Sequence, residues 1–286
     1  MECSKRLEEV IGRIRPCGLL LDVGCDHGYV TIEALRRGKA ARGIAADVVE
    51  GPLAAAAANV AAAGLSERIK LLRSDGLRAV EEQPDCIVIA GMGGRLMTEI
   101  LQGQATDGRR QTPAEAAVAK RRAIALLRGA SQLLLSPQSE VALVRRLLVE
   151  TLELSIADED MVEEDGKFYV LLDVRCPAAG NSDAGGSDAG SSAADKPDSG
   201  KSEIQTEEYW KLKQGETEHW SETEYLYGKR LLEKRSPVFL RWLKYQRQKK
   251  QMALSRAGAG QSAHAKAQTA ALLQELETLN GLLRGH

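Results

Sequence analysis

The first half of the chain alternates between short continuous apolar runs and segments whose apolar residues recur at helical spacing. Continuous apolar runs that end at glycine or polar residues predict buried strands, here at residues 19–22, 41–46, 69–72, 86–90 and 133–136. Helical spacing predicts helices, here at residues 1–14, 29–38, 54–63, 114–128 and 141–151. Four strand–helix units are thus predicted up to about residue 101, with a polar loop at 102–113.

The pattern changes after residue 151. Residues 154–160 and 167–175 predict two late strands joined by a turn at Glu164, Asp165 and Gly166. Strands that alternate with helices, followed by a terminal strand pair, are typical of a doubly wound α/β sheet with an antiparallel edge.

A low-complexity segment separates this part from the rest. Residues 178–200 contain almost no large apolar residue and predict a flexible linker. From residue 204 onward the pattern is helical, and leucines at 3–4 spacing in 270–283 predict a short antiparallel coiled coil. We therefore expect domains at 1–177 and 201–286, joined by 178–200.

Charge is divided unevenly between these parts. Residues 1–177 hold 23 Lys/Arg against 26 Asp/Glu, whereas residues 201–286 hold 15 against 10. A local basic excess indicates a polyanionic partner for the C-terminal helices. The five cysteines form no C-x-x-C pair, so neither a disulfide framework nor a metal site is expected. With no apolar run of membrane length and a charged, amphipathic start, the sequence predicts a cytoplasmic protein without a membrane partner.

The most informative segment follows the first predicted strand. Gly24 and Gly28 flank Asp26 in a turn that leads into a helix. Such a turn places backbone N–H groups at the carboxyl edge of a sheet, where open α/β folds bind nucleotide-like ligands. A carboxylate at the second glycine position of the dinucleotide motif would repel a pyrophosphate. The turn therefore favours S-adenosylmethionine, which carries an ammonium and a sulfonium but no phosphate; an ordinary turn without ligand is the alternative.

Three further strand ends carry polar or glycine signatures. Asp47 ends the second strand and is placed for ribose hydroxyls, or alternatively for capping the next helix. Asp75 follows the third strand, where an adenine amino group would find an acceptor. Gly91, Met92, Gly93 and Gly94 follow the fourth, where three glycines in four residues allow close backbone approach. Four such ends at one edge predict a nucleoside-type site.

Taken in order, the motifs resemble the bacterial tRNA (adenine-22-N1)-methyltransferase family. They are SKRL, DVGCDHGYV, AADVVEGP, RSDGL, IAGMGG, LLLSPQ, EEDGKFYVLL and YGKRLLEKRSPVFLRWL. The resemblance covers nearly the whole chain, although the family commonly has glutamate where Asp47 stands. It implies a Rossmann-like class I methyltransferase sheet with a helical, coiled-coil C-terminal domain, S-adenosyl-L-methionine as cofactor, and tRNA as substrate.

The resemblance also implies the site residues. Asp75 is the candidate for a catalytic contact with the adenine amino group and equally for cofactor binding. The other implied cofactor-binding residues are Arg6, Asp22, Gly24, Asp26, His27, Gly28, Tyr29, Asp47, Val48, Gly76, Gly91, Met92 and Gly93. The basic residues expected to contact RNA phosphates are Lys229, Arg230, Lys234, Arg235, Arg241 and Lys244.

Alternative functions remain open at this point. A nicotinamide-dependent oxidoreductase is disfavoured by Asp26 at the second glycine position. A cofactor-binding RNA-binding module without activity, or a methyltransferase with a different substrate, would share the same motifs. The basic C-terminal helices disfavour a small-molecule substrate.

Overall fold

The computed structural model describes residues 4–176, 219–257 and 263–285, with the backbone alone for 263–265. The predicted linker at 178–200 and part of the predicted C-terminal helices lie outside these residues. The first part comprises α1 (Lys5–Arg13), β1 (Cys17–Val23), α2 (Tyr29–Arg36), β2 (Ala40–Asp47), α3 (Glu50–Ala62), β3 (Ile69–Arg73), β4 (Cys86–Ala90), α4 (Gly94–Leu101), α5 (Pro113–Gly129), β5 (Gln132–Ser136), α6 (Val141–Arg146), a π-helical turn (Leu147–Thr151), β6 (Ser155–Glu164) and β7 (Lys167–Arg175). Four helices follow, α7 (Glu222–Tyr227), α8 (Lys229–Lys234), α9 (Pro237–Ala257) and α10 (Ala263–Arg284).

The seven strands form one sheet in the order β3-β2-β1-β4-β5-β7-β6. The first five are parallel, and β7 and β6 extend the sheet as an antiparallel edge. Strand order reverses on either side of β1, which opens a crevice at the carboxyl ends of β1 and β4. This confirms the predicted Rossmann-like sheet.

Helices cover both faces of the sheet because its strands are apolar on both sides. Leu21, Ile44 and Ile87 belong to one buried cluster, and Leu20, Ala45 and Val88 belong to the other. Neighbouring residues of a strand point to opposite faces, so these continuous apolar runs require a layer of helices on each side.

One predicted crossover differs from the structure. The sequence predicts a helix between the third and fourth strands, but residues 74–85 form turns instead. The Ser74 hydroxyl donates to the Gly76 carbonyl at 2.7 Å and accepts from the Ala79 N–H at 3.1 Å. A side chain that bonds the nearby backbone in this way competes with helix formation.

The C-terminal helices share a core with the sheet. Tyr225, Leu231, Phe239 and Leu243 are buried in the same cluster as the inward residues of β4 and β5. Lys250 of α9 pairs with Glu275 of α10, and Arg235, just before α9, donates to the Leu282 carbonyl at 2.7 Å. The two helices therefore run antiparallel, as predicted.

A fully buried ion pair of the sheet unit forms hydrogen bonds with the C-terminal helices. Arg145 Nε lies 2.7 Å from Glu159 Oε1, and the two side chains are 1% and 0% exposed. Arg145 Nη1 also donates to the Tyr225 carbonyl at 3.0 Å, and Glu159 accepts from the Arg230 N–H at 2.9 Å. The helices after residue 219 thus supply hydrogen-bond partners to both charges inside the sheet unit. The boundary predicted at 177–201 remains a prediction, but the parts do not have separate cores.

Among the helices that the structure describes, none combines the length and the apolar character needed to cross a membrane.

Candidate functional site

The carboxyl ends of four parallel strands meet at one edge of the sheet. Val23 of β1 lies beside Ala46 of β2 and Ile89 of β4, and Asp47 of β2 lies beside Arg73 of β3. The glycine turn, Asp47, Asp75 and the glycines after β4 therefore all follow strands that end at this edge. The structure brings together the residues that the sequence placed at the strand ends.

The turn after β1 is held in a left-handed conformation. Gly24, Asp26 and Gly28 have φ of +73°, +50° and +74°. A side chain at Gly24 would lie 2.8 Å from the Met92 methyl group, so glycine also lets the turn approach the loop after β4. Asp26 adopts a conformation uncommon for a residue with a side chain. Its carboxylate is largely exposed at the edge.

Asp47 connects the first two strand ends. Its carboxylate accepts hydrogen bonds from the N–H groups of Asp26 at 3.3 Å and Val49 at 2.9 Å. The following helix begins at Glu50 with Val49 at the cap position, so the alternative that Asp47 is the N-cap is not what the structure shows. A carboxylate has about four lone-pair sites, and Asp47 keeps acceptor capacity for hydroxyl groups at the edge.

Asp22 supports the turn from beneath. The side chain is buried, and its Oδ2 accepts from the Thr31 hydroxyl at 2.9 Å. Burial raises the pKa of Asp22 to about 6, although the hydrogen bonds from Thr31 lower it. Asp22 therefore orients the start of α2, and among the carboxylates of the predicted site it is the most buried.

Two aromatic rings and a thiol complete the turn. The rings of His27 and Tyr29 stack with centroids 5.5 Å apart, and His27 Nε2 lies 3.5 Å from the Asp26 carboxylate. Burial first, and then the charge of Asp22, raise the pKa of the Cys25 thiol well above its usual range. Cys25 packs in the core, and its raised pKa disfavours the thiolate that a nucleophile requires.

Asp75 lies in a cleft of about 630 Å³ on the β2–β3 side of the edge. Its oxygens accept from the N–H of Thr106 at 3.0 Å and from the Thr106 hydroxyl. The cleft is also lined by Val48, Arg73, Arg78, Asp107 and Arg109. Sequence reasoning did not find Thr106, because the loop that contains it has no motif. Asp75 thus fixes this loop across the cleft.

Arg6 lies at the other side of the edge, beside the glycines after β4. Gly91 has φ of +85°, and a side chain there would lie 3.5 Å from Arg6 Nη1. The guanidinium stands 5.2 Å from the centroid of the Tyr169 ring. Arg6 Nη1 is buried and has no hydrogen-bond partner in the described part of the chain. A buried donor without a partner is costly, which makes this group a ready site for an acceptor such as a carboxylate.

The basic residues predicted to contact RNA are partly engaged inside the protein. Lys234 pairs with Asp158 at 2.6 Å, Arg241 with Glu163 at 2.7 Å, and Arg235 caps the end of α10. Arg230 lies 3.1 Å from Glu233, and Lys229 stands 5.7 Å from the Trp220 ring. Lys244 is exposed and has no ion pair among the described residues. Their contact with RNA stays a prediction.

Within the described ranges, no three His, Cys, Asp or Glu residues are grouped in a way that could hold a metal ion. The donors at the strand edge are carboxylates, one guanidinium and backbone groups. They can hold a polar organic ligand that has a cationic and an anionic end.

Known proteins share this architecture. A sequence model of the family described as methyltransferase domain matches residues 3–172. The tRNA (adenine(22)-N(1))-methyltransferase of Bacillus subtilis (strain 168) is 32% identical over 185 residues, which are 64% of this chain and 68% of that protein. The crystal structure of Streptococcus pneumoniae Sp1610 is 28% identical, with a TM-score of 0.72 over 99% of this chain and 100% of that one. Its complex with S-adenosyl-L-methionine has a TM-score of 0.69, with the same identity and coverage.

Proposed function

The chain belongs to the tRNA (adenine(22)-N1)-methyltransferase family, and we propose that it methylates N1 of adenine 22 in tRNA with S-adenosyl-L-methionine as methyl donor. This membership confirms the resemblance seen in the motifs. The observation that carries the proposal is the set of complementary groups at one sheet edge. Carboxylates of Asp26 and Asp47 stand on one side, and the unpartnered guanidinium N–H of Arg6 stands on the other.

These groups fit the two ends of the cofactor. Asp47 would accept hydrogen bonds from the ribose hydroxyls, and Asp26 would pair with the ammonium. Arg6 Nη1 would donate to the carboxylate and so gain the partner that it lacks. The remaining proposed contacts are backbone and ring surfaces of Gly24, His27, Gly28, Tyr29, Val48, Gly76, Gly91, Met92 and Gly93. Asp22 would act by positioning the turn.

Asp75 has two proposed roles, a contact with the cofactor and a catalytic contact with the target adenine, and its position favours the first. It follows β3, which lies three places from β4 in the sheet, and it shares a cleft with Val48 next to Asp47. This location favours a hydrogen bond to the amino group of the cofactor's adenine. A catalytic contact with the target adenine is the second role. Asp75→Asn would weaken cofactor binding in the first case and lower kcat at saturating cofactor in the second.

Methyl transfer mainly requires that the protein align the methyl donor with adenine N1. The cofactor supplies a methyl group that its sulfonium already activates, and adenine N1 has a free lone pair. The chain's residues therefore have to orient the two reactants and exclude water. A Cβ at Gly91 would lie 3.5 Å from Arg6 Nη1 and one at Gly93 would lie 3.1 Å from Ser139 Oγ, so glycine lets the loop after β4 pack closely against its neighbours. In a folded tRNA the adenine has to be turned out of its stack to reach this edge.

The three segments of the chain have different proposed roles. Residues 1–177 would bind the cofactor, 178–200 would act as a spacer, and 201–286 would contact the tRNA. A cytoplasmic location fits a tRNA substrate. Because the C-terminal helices share one hydrophobic core with the sheet, they would also stabilise the cofactor-binding part of the chain.

Nucleoside mass spectrometry tests the function directly. Unmodified tRNA incubated with the protein and S-adenosyl-L-methionine should gain 1-methyladenosine, and the same tRNA with guanosine at position 22 should gain none. Methylation at another position would indicate a different substrate site. Cofactor and tRNA binding without any transfer would indicate a binding module instead of an enzyme.

A further inference from the structure

A second cleft lies between the β6–β7 turn and helix α9. It measures about 620 Å³, within the range of about 300–1,000 Å³ that is usual for ligand sites. Glu163, Gly166 and Phe168 line it from the hairpin, and Arg241, Lys244, Tyr245, Arg247, Gln248 and Gln251 line it from the helix. None of the cofactor-site residues contributes to it.

The lining combines aromatic, cationic and amide groups. The Tyr245 side chain is 48% exposed, and its ring lies 5.7 Å from that of Phe168 at a tilt of 36°. Glu163 is the one acid in the lining, and Arg241 neutralises it at 2.7 Å. Lys244 and Arg247 then leave the cleft positively charged. Rings, cations and side-chain amides together are what proteins use to hold unstacked nucleotides.

Arg247, which lines this cleft, offers a second argument for an anionic ligand. Its Nε is buried and has no hydrogen-bond partner within the described ranges. Phosphate oxygens are strong acceptors for guanidinium donors.

The cleft also lies next to the methyl-transfer edge. Leu172 of β7 pairs with Leu135 of β5 in an antiparallel register, so β7 begins beyond the carboxyl end of β5. Tyr169 follows Phe168 and holds the Arg6 guanidinium, which in turn lies beside Gly91. Neighbouring strand residues point to opposite faces, so one hairpin separates the cleft from the edge where the target adenine is proposed to bind.

We infer that this cleft binds an unstacked nucleotide of the tRNA substrate. The base would stack on Tyr245, and its phosphate would contact Lys244 and Arg247. The inference rests on the proposed function, because it assumes tRNA as the substrate. It adds Tyr245 and Arg247 to the residues that recognise the RNA and assigns Lys244 to one phosphate.

Steady-state methylation by the full chain tests the stacking contact. Tyr245→Leu keeps an apolar side chain but removes the ring, and it should raise KM for tRNA about 10-fold, with kcat and KM for S-adenosyl-L-methionine unchanged. Tyr245→Phe should restore the wild-type KM. Met252→Ala is the matched control, because Met252 lies two turns further along α9 and is 49% exposed. Unchanged KM in Tyr245→Leu, with an unchanged melting temperature, would overturn the inference.

The salt dependence of tRNA binding tests the phosphate contact. Lys244→Ala should lower the slope of log Kd against log salt by about 0.7–0.9, the value for one phosphate. Lys249→Ala removes the same charge from the same helix but outside the cleft lining, and it should leave the slope unchanged. Equal slopes for both variants would refute a local phosphate site. A wild-type protein that binds tRNA with this pattern but transfers no methyl group would contradict the proposed function and leave the cleft assignment standing.

Discussion

The buried ion pair between Arg145 and Glu159 offers a sharp test of how the C-terminal helices are attached. Both side chains are almost fully excluded from water, and the remaining partners come from the other part of the chain. Tyr225 and Leu226 supply carbonyl acceptors at 3.0 and 3.3 Å, and Arg230 supplies an N–H donor at 2.9 Å. Replacing Glu159 by glutamine therefore leaves a buried guanidinium with neutral acceptors alone.

The expected cost follows from this geometry. Removing one partner of a buried pair costs about 3–5 kcal/mol of unfolding free energy, because the other charge stays buried without compensation. Glu159→Gln and Arg145→Met should each fall in this range. Independent effects would sum to about 6–10 kcal/mol, but Arg145→Met with Glu159→Gln removes both charges together. We therefore expect the double variant to lose no more stability than either single variant.

Urea unfolding of the full chain, followed by circular dichroism, measures these free energies. Glu50→Gln is the matched control, since Glu50 pairs with Arg73 at 2.5 Å but the two side chains are 76% and 65% exposed. Such a pair should contribute less than about 1 kcal/mol. A loss below about 1 kcal/mol for Glu159→Gln, or a fully additive double variant, would refute the reasoning that this pair joins the two parts.

Three further predictions concern the strand edge. Arg6→Met should weaken S-adenosyl-L-methionine binding by about 1.5–3 kcal/mol in calorimetry, yet leave binding of 5′-methylthioadenosine, which has no carboxylate, unchanged; equal losses for both ligands would refute the carboxylate contact. Asp47→Ala should weaken both ligands by about the same 1.5–3 kcal/mol, and lost thermal stability with unchanged affinity would instead mark Asp47 as purely structural. Because burial raises the pKa of Asp22 from 3.8 to about 6 in the folded state, the fold favours its protonated form, and the contribution of Asp22 to the free energy of unfolding should fall by about 3 kcal/mol as pH rises from about 4 to about 6. Asp22→Asn should lack this loss, so the difference in unfolding free energy between the variant and wild type should increase in favour of the variant over the same pH range, as urea unfolding can measure. A difference that does not change with pH would contradict the raised pKa of Asp22.

The sequence predicted the elements that depend on local pattern. The fourth strand was predicted at 86–90 and is found at Cys86–Ala90. A sheet with helices on both faces buries both sides of its central strands, so a continuous apolar run defines the ends of such a strand. The acid and glycine positions of the site could be predicted for the same reason. Each lies at the end of a strand or a few residues beyond it, and parallel strands end at a common edge.

The local sequence pattern did not predict the structure where a side chain can form hydrogen bonds with several nearby backbone groups. Ser74 closes turns in the third crossover, where a helix was expected. Asp47 bonds the N–H groups of Asp26 and Val49, which a cap prediction does not contain. In both cases the competing hydrogen bonds differ little in free energy, so the surrounding fold decides between them.

Contacts between distant parts of the chain were decided by the tertiary structure alone. A run of basic residues in the C-terminal helices predicts a solvated, phosphate-binding face, yet Lys234 and Arg241 pair with acids of β6. The same packing brings Tyr245 to Phe168 across a hairpin that is 77 positions earlier in the chain. Sequence determines which residues carry charge or an aromatic ring. Only the packing of α8 and α9 against β6 decides which of those charges are neutralised and which remain exposed for a ligand. An ion pair depends on distance in space and on burial, and neither is encoded in the spacing of residues along the chain.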